Sequence, residues 1–324
     1  MILVTGATGF LGAELVVQLL AVENKIRCIK RENSHIPTKL TSFQNQIEWL
    51  NADILDFSDL EEAFEGITKV YHCAALVSFN PSLKNRLLEV NAEGTANVVN
   101  LCLEKSIEKL IHVSSIATLA DAKGDELVDE TFFWEGFEKH EGYAVSKYRA
   151  EMEVWRGISE GLNAVIINPS LIIGEDAGTE GTGSLFETIR KGINYFPIGG
   201  AGLVDVKDVA KAMILLMQSD IRNQRFIING ENVLYKHLFE ISATAFGIPT
   251  PKKALKPWMM NFAWRANQLK NLFTGSKGGL NKTTVQGASK VSRFNNQKIK
   301  NAVGIEFIAA KESITKIANS LKSA

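Results

Sequence analysis

The chain has 324 residues, 45% of them hydrophobic and 22% charged, a balance that excludes disorder, collagen and coiled coil. At roughly 150 residues per domain this length suggests about two domains, large enough to bury about 75% of the unfolded surface without a disulfide or metal staple. Three cysteines (Cys28, Cys73, Cys102) are odd in number and lack zinc-like spacing, and the histidines show no ligand spacing, so no disulfide framework and no metal are expected. The 36 basic and 36 acidic residues cancel, but residues 251–324 hold twelve Lys and two Arg against two Glu, a net +12 that leaves −12 on the rest. Such a basic segment reads as a solubilising lysine surface or as a lobe that attracts an anionic substrate. The uncharged stretch 162–174 is far shorter than the ~20 residues needed to span a bilayer, so no transmembrane segment is expected. Residues 2–4 already read as a strand, which argues against a leader; the expectation is a cytoplasmic protein in a reducing compartment.

In chain order, short apolar runs alternate with amphipathic ones. The first strand, 2–5, leads through Thr5-Gly6-Ala7-Thr8-Gly9-Phe10-Leu11-Gly12 into a helical pattern over 10–22. Glycines at this spacing between a strand and a helix fit a dinucleotide turn: Gly6 for the tight bend, Gly9 for backbone approach to a pyrophosphate, Gly12 for close packing. Free N–H groups at the helix start favour the anion, so Gly6, Thr8, Gly9, Phe10 and Leu11 are assigned to the cofactor. The second strand, 25–30, ends Cys28-Ile29-Lys30-Arg31, with Glu32 next and Ser34 nearby. An acidic residue there would bind ribose hydroxyls, whereas two cations, Lys30 and Arg31, favour NADP(H) over NAD(H). After strand 47–50, Asp53 is placed to accept from an adenine amino group while Ile54 covers the ring, with a plain turn role for Asp53 as the alternative. Asp56 or Ser58 caps the next helix, 58–64.

Strand 69–74 contains His72, which reads as a satisfied core histidine more than as a catalyst. Helix 83–104 carries Asn91, a poor helix former in mid-helix, read either as holding a water or backbone group behind the site or as a plain exposed residue. Strand 109–114 ends Val113-Ser114-Ser115-Ile116, where a serine hydroxyl can donate to a substrate carbonyl; Ser115 lies farther out than Ser114 and is preferred. Helix 143–159 opens Tyr143-Ala144-Val145-Ser146-Lys147, and residues four apart share a helix face. A phenol near pKa 10 is a poor acid or base at neutral pH, and a nearby cation favours its phenolate. Strand 163–168, helix 208–218 and strand 225–228 complete the alternation.

Near-continuous apolar strands alternating with helices define an α/β, Rossmann-type doubly wound parallel sheet. The pattern breaks at the glycine-rich 175–202 and again after Gly230, where the chain turns helical and lysine-rich. The expected division is an NAD(P)-binding domain of 1–170 plus about 203–230, and a smaller, mainly helical substrate lobe of about 171–202 plus 231–324. The active site then lies between them at the C-terminal edge of the sheet. A helix beginning Pro257-Trp258-Met259-Met260 places Trp258, Phe262, Leu269 and Phe273 along one face, as lobe core, apolar lid or membrane-surface contact. Scattered lysines with no reading module argue against nucleic acid.

Together these motifs resemble the extended short-chain dehydrogenase/reductase superfamily, also called the NAD-dependent epimerase/dehydratase family, over essentially the whole chain. The resemblance rests on residues 5–12, Asp53-Ile54, residues 72–75, Asn91 with Gly94-Thr95, Ser115, and Tyr143 with Lys147. It also rests on Asn168-Pro169-Ser170 and residues 204–210. It implies Tyr143 as general acid/base, Lys147 on the nicotinamide ribose lowering the tyrosine pKa, Ser115 on the reacting oxygen, and Asn91 supporting a proton relay. Ala74, Ala75 and Pro169 join Tyr143 and Lys147 among the implied cofactor contacts. The dehydratases of the family carry an acidic pair after the serine position, but here Ile116-Ala117-Thr118 follows. Many nucleotide-sugar epimerases place an arginine where Ala201 stands. The motifs are more similar to the dihydroflavonol reductase, cinnamoyl-CoA reductase and 3β-hydroxysteroid dehydrogenase group. The expected function is reduction of a small ketone or aldehyde. A nucleotide-sugar epimerase using the same triad and a non-catalytic NADP(H)-binding sensor are the alternatives. A homodimer through helices 83–104 and 143–159 is one arrangement that similar proteins adopt.

Overall fold

Seven of the apolar runs form one parallel sheet in the computed structural model, which describes residues 1–23, 25–120, 126–134, 142–178, 181–256, 258–259 and 287–323. The chain runs β1 (Ile2–Thr5), α1 (Phe10–Leu19), β2 (Ile26–Lys30), α2 (Thr38–Thr41), β3 (Ile47–Asn51), α3 (Phe57–Ala63) and β4 (Lys69–His72). It continues α4 (Lys84–Leu88), α5 (Gly94–Glu104), β5 (Lys109–Val113), α6 (Tyr143–Ser159), β6 (Ala164–Pro169), β7 (Leu171–Ile173), α7 (Gly181–Arg190) and β8 (Tyr195–Pro197). Then come β9 (Gly200–Asp205), α8 (Val206–Gln218), β10 (Gln224–Ile228), β11 (Glu231–Leu234), α9 (Tyr235–Phe246) and β12 (Lys253–Leu255). Helices Gln297–Val303 and Ala310–Ser323 close the described chain. Of the helix expected from Pro257, only Trp258 and Met259 fall within the described residues.

The sheet order is β10-β6-β5-β4-β1-β2-β3, so the chain reverses direction beside β1 and β4 and opens a crevice there. Both faces are covered. Successive residues of β1 serve opposite cores: Val4 packs with Leu15, Val209 and Met213 beneath α1 and α8, and Leu3 packs with Leu60, Val98 and Val154 beneath α3, α5 and α6. That is the period-two consequence of a pleated strand buried on both sides.

A smaller body flanks the sheet. Strands β7 and β9 pair in parallel, β11 joins β9 antiparallel, and Ile173, Phe186, Leu203, Phe239 and Ile314 form its core. It therefore contains strands as well as helices, and residues 203–205 lie in β9 of this small sheet, not in the large one. Gly202 explains the tight junction, because a Cβ there would stand 2.2 Å from Asn229 Oδ1 and 2.9 Å from the Phe294 ring.

Two local readings need correction. Strand 69–74 ends at His72, because Cys73 and Ala74 leave the ladder to lie against Gly6. Helix 83–104 is broken by a π-helical turn at Glu89–Glu93, where the side chain of Asn91 is drawn inward. Of the two residues offered as the cap of α3, it is Asp56 that caps, its Oδ1 accepting from the N–H groups of Ser58 and Asp59 at 3.0 and 3.2 Å.

The glycine turn tolerates least. A Cβ on Gly12 would stand 2.1 Å from the Gly6 carbonyl oxygen, a backbone atom that cannot swing away. Gly12→Ala is expected to destabilise the protein by about 1–3 kcal/mol, as overpacking does. Differential scanning fluorimetry should read this as a lowered Tm, with Gly9→Ala, whose Cβ clears the same oxygen at 3.3 Å, costing much less.

Candidate active site

The crevice begins at the glycine turn. Gly6 holds φ +71°, its carbonyl accepts from the Gly9 N–H at 3.0 Å, and a Cβ on Gly6 would strike Ala74 N at 2.5 Å. Gly9 caps α1 with no side-chain cap, and the first turn of α1 carries no acidic residue. The outer side of Gly9 is exposed, so the N–H groups at the start of α1 face a space that an anion can enter. These residues fit the pyrophosphate of a dinucleotide. Thr8 is half-buried beside them, Leu11 is buried, and the Phe10 ring fills the space beside Gly174, which follows β7.

Farther along the edge, Lys30 donates to Asn51 Oδ1 at 2.8 Å, and exposed Arg31 opens a turn closed by the Ser34 N–H. Asp53 accepts from the Leu55 N–H at 3.1 Å within its own turn. Ile54 is buried and packs against Gly94, so its side chain belongs to the core. The Ala74 N–H donates to Thr5 Oγ1 at 3.2 Å, Ala75 is exposed, and Pro169 ends β6 opposite Ile228.

Ser115, Tyr143 and Lys147 come together where β5 and α6 meet. Ser115 caps a short turn, accepting from the Ala117 N–H at 3.1 Å, and its hydroxyl is hydrogen-bonded to Tyr143. Lys147 is buried and donates to the Val113 carbonyl at 2.6 Å. Burial lowers its pKa to about 8, opposed by the carboxylate of Glu151 and by Cys73. Burial pushes the Tyr143 hydroxyl up to about 12, opposed by the Ser115 hydrogen bond. The protein alone therefore does not bring the phenol into the neutral range, contrary to the simple expectation from a lysine four residues away. The exposed ring of Phe79 stands edge-on to Tyr143, with centroids 5.7 Å apart.

Asn91 is buried rather than exposed. Its amide holds both polar groups of Leu76, accepting from the N–H at 2.7 Å and donating to the carbonyl at 2.9 Å, and also donates to Ser146 Oγ at 2.8 Å. It thereby ties the segment after β4 to the helix of Tyr143. Behind it the Thr95 hydroxyl donates to the Asn91 carbonyl, so Thr95 Oγ1 accepts from His72 Nε2 at 2.9 Å. His72 Nδ1 then accepts from the Thr5 hydroxyl at 2.7 Å. His72 is thus neutral, protonated on Nε2, and satisfied at both nitrogens.

Two residues at the site were not singled out from the sequence: Glu151, one further turn along the face of Tyr143 and Lys147, and Arg225 on β10, its buried ion-pair partner at 3.2 Å. The spacing 143–147–151 was a visible signal for the first. Among the described residues no cluster of His, Cys, Asp and Glu could hold a metal ion, and no helix is long and apolar enough to cross a membrane.

The NAD dependent epimerase/dehydratase family is matched over residues 2–229. The chain belongs to this family and is an NAD(P)-dependent enzyme of the extended short-chain dehydrogenase/reductase class. It is 32% identical over 269 residues to a Synechocystis protein provisionally named dihydroflavonol 4-reductase, covering 81% of this chain and 77% of that one. Cinnamoyl-CoA reductase 1 of Petunia hybrida is 30% identical over 289 residues, covering 83% and 85%. The solved UDP-glucose 4-epimerase of Thermotoga maritima superposes with a TM-score of 0.79 over 99% of this chain and 98% of that one. At 20% identity that is a likeness of fold.

Burial holds His72 down to about pKa 3, so the unfolded chain binds a proton near pH 6.5 that the folded protein refuses. Stability is then full above pH 6.5 and falls as pH drops toward 3. For this one group the loss at pH 5 is about 2 kcal/mol, at about 1.4 kcal/mol per pH unit. Urea unfolding at pH 7 and pH 5 should show it, and His72→Gln should flatten the slope by about one proton.

Proposed function

We propose that the chain is an NADPH-dependent reductase of ketones or aldehydes that carry an apolar substituent, with Tyr143 as general acid. The observation that carries this reading is the convergence of the Ser115 hydroxyl, the Tyr143 phenol and the buried Lys147 at the C-terminal edge beside the glycine turn. The reductase names of the two relatives above support it.

A reduced nicotinamide, when bound, supplies the hydride. The chain's own residues do the rest. The Ser115 hydroxyl and the Tyr143 phenol are hydrogen-bonded to each other, and a carbonyl oxygen that enters in place of that bond is held by two donors, a preorganised arrangement for developing negative charge. Tyr143 releases its proton to that oxygen as charge builds. Lys147 spends one of its three donors on the Val113 carbonyl, leaving two for ribose hydroxyls, and its positive charge stabilises the phenolate left behind. Phe79, exposed and edge-on to Tyr143, gives the substrate an apolar aromatic wall, which favours carbonyls with a flat apolar group. At the other end of the cofactor groove Lys30 is engaged by Asn51, so Arg31 is assigned to a 2′-phosphate. The three thiols are unpaired, which suits a reducing compartment, and we place the enzyme in the cytoplasm on that ground.

Wild-type protein should consume NADPH with one or more members of an aromatic and alicyclic carbonyl panel. Tyr143→Phe should lower kcat by about 100-fold or more, the scale of a lost general acid, while NADPH binding read by fluorescence stays within a few-fold. Turnover of a nucleotide sugar with no net NADPH consumption would overturn the reductase reading. Arg31→Ala should weaken NADPH about 10- to 100-fold, as loss of a charged hydrogen bond does, and leave NADH binding unchanged. Equal loss for both dinucleotides would remove Arg31 from the 2′-phosphate.

A further inference from the structure

The side chain of Glu151 is only 1% exposed, and its ion-pair partner Arg225 stands at 4%. Its Oε2 accepts from the Ser114 hydroxyl at 2.6 Å and from Asn168 Nδ2 at 2.9 Å, with the Thr118 hydroxyl also at 2.9 Å. Its Oε1 accepts from Arg225 Nη1 at 3.2 Å and Trp155 Nε1 at 3.3 Å. Ser114 and Thr118 bracket Ser115, and the Asn168 amide also donates to the Ser115 carbonyl at 3.1 Å. One carboxylate therefore pins the turn that presents Ser115 from both sides and from beneath.

We propose that Glu151 is a positioning residue for the reduction, acting through Lys147 and through the turn that presents Ser115, with Arg225 as its counter-charge. This rests on the reductase reading above. A buried carboxylate–guanidinium pair is a poor way to stabilise a fold, because apolar residues of equal volume do as well or better. What the pair does here is local and geometric. Lys147 is faced by Glu151 from its own helix, by Cys73 beyond β4, and by His72 and His112 from β4 and β5. Burial keeps both histidines neutral and the Cys73 thiol protonated, so among the described residues Glu151 supplies the negative charge that faces the ammonium at neutral pH. Arg225, on the far side, is itself fixed by the carbonyls of Glu130 and Phe132 at 2.8 and 3.0 Å and by the Phe133 ring beneath its guanidinium. The carboxylate is held from behind and cannot turn away from the site.

The deciding experiment is the pH profile of kcat/KM and of NADPH binding for wild type, Glu151→Gln and Glu151→Asp. Glutamine removes the charge, so Lys147 should lose its proton more easily and the loss of activity and cofactor binding on the basic side should begin about one pH unit lower. A folded Glu151→Gln protein whose basic limb matches wild type overturns the proposal. Aspartate keeps the charge but withdraws it from the hydroxyls. Its basic limb should stay within about 0.3 pH units of wild type while kcat/KM falls about tenfold through misplacement of Ser115. Wild-type kcat/KM in Glu151→Asp, or a limb shifted as far as in the glutamine variant, also overturns it. If glutamine prevents folding, the aspartate variant decides alone. If wild type reduces no carbonyl, the reductase reading fails, and the pH dependence of NADPH fluorescence still tests the link from Glu151 to Lys147.

Discussion

Burying one ammonium organises the site. Lys147 lies out of water on the inner face of α6, where an unpaired charge would cost several kcal/mol. Its head must therefore reach the Val113 carbonyl at the end of β5, and a carboxylate must stand near it. The first requirement fixes the rotation of α6 against the sheet, which sets Tyr143 one turn outward beside Ser115. The second places Glu151 one turn inward, and a buried Glu151 in turn requires Arg225 from β10. Three residues at spacing four thus run from the protein interior to the crevice, each position dictated by the one beneath it.

A second polar line runs at right angles, under the strand ends. From the Asn91 carbonyl through Thr95, His72 and Thr5 to the Ala74 N–H, each hydroxyl both donates and accepts, so the proton positions are fixed along its length. It joins the π-helical turn behind Tyr143 to the backbone that abuts Gly6. The Tyr143 corner and the glycine turn are therefore parts of one hydrogen-bonded frame, and neither can shift without breaking a buried bond, a cost of about 1–3 kcal/mol for each group left unpaired.

Most of the nucleotide-binding half was legible because its signals are local. Strand, glycine turn and helix occupy the 18 consecutive residues from Ile2 to Leu19, and Tyr143 with Lys147 fall within one and a half turns of helix. What escaped the sequence reading depends on partners far apart in the chain. Arg225 meets Glu151 across 74 positions, and its role as a buried cation cannot be told from an ordinary strand-end arginine without the fold. The π turn at Asn91 is set by the Leu76 backbone, 15 residues away. Residues 203–205 carry no local signal that assigns them to one body, and their pairing with β7 and β11, beside the close approach of Phe294 and Asn229 to Gly202, is visible only in the fold. The packing of the Ile54 side chain is of the same kind, because the missing side chain at Gly94, 40 residues on, is what gives it a pocket in the core.

The segment that braces Arg225 also finishes the sheet. Strand β10 is the last strand on its side, and an open strand edge is a template for another chain. Here the outward N–H of Ile227 donates to Glu130 Oε1 at 2.8 Å, and the outward carbonyl of Arg225 accepts from Lys298 Nζ at 2.9 Å. Charged side chains thus occupy two of the outward groups that a neighbouring strand would use. The segment that holds the Glu151–Arg225 pair in place thus also guards this rim, so that addition of a strand beside β10 would first have to displace Glu130 and Lys298 from the edge.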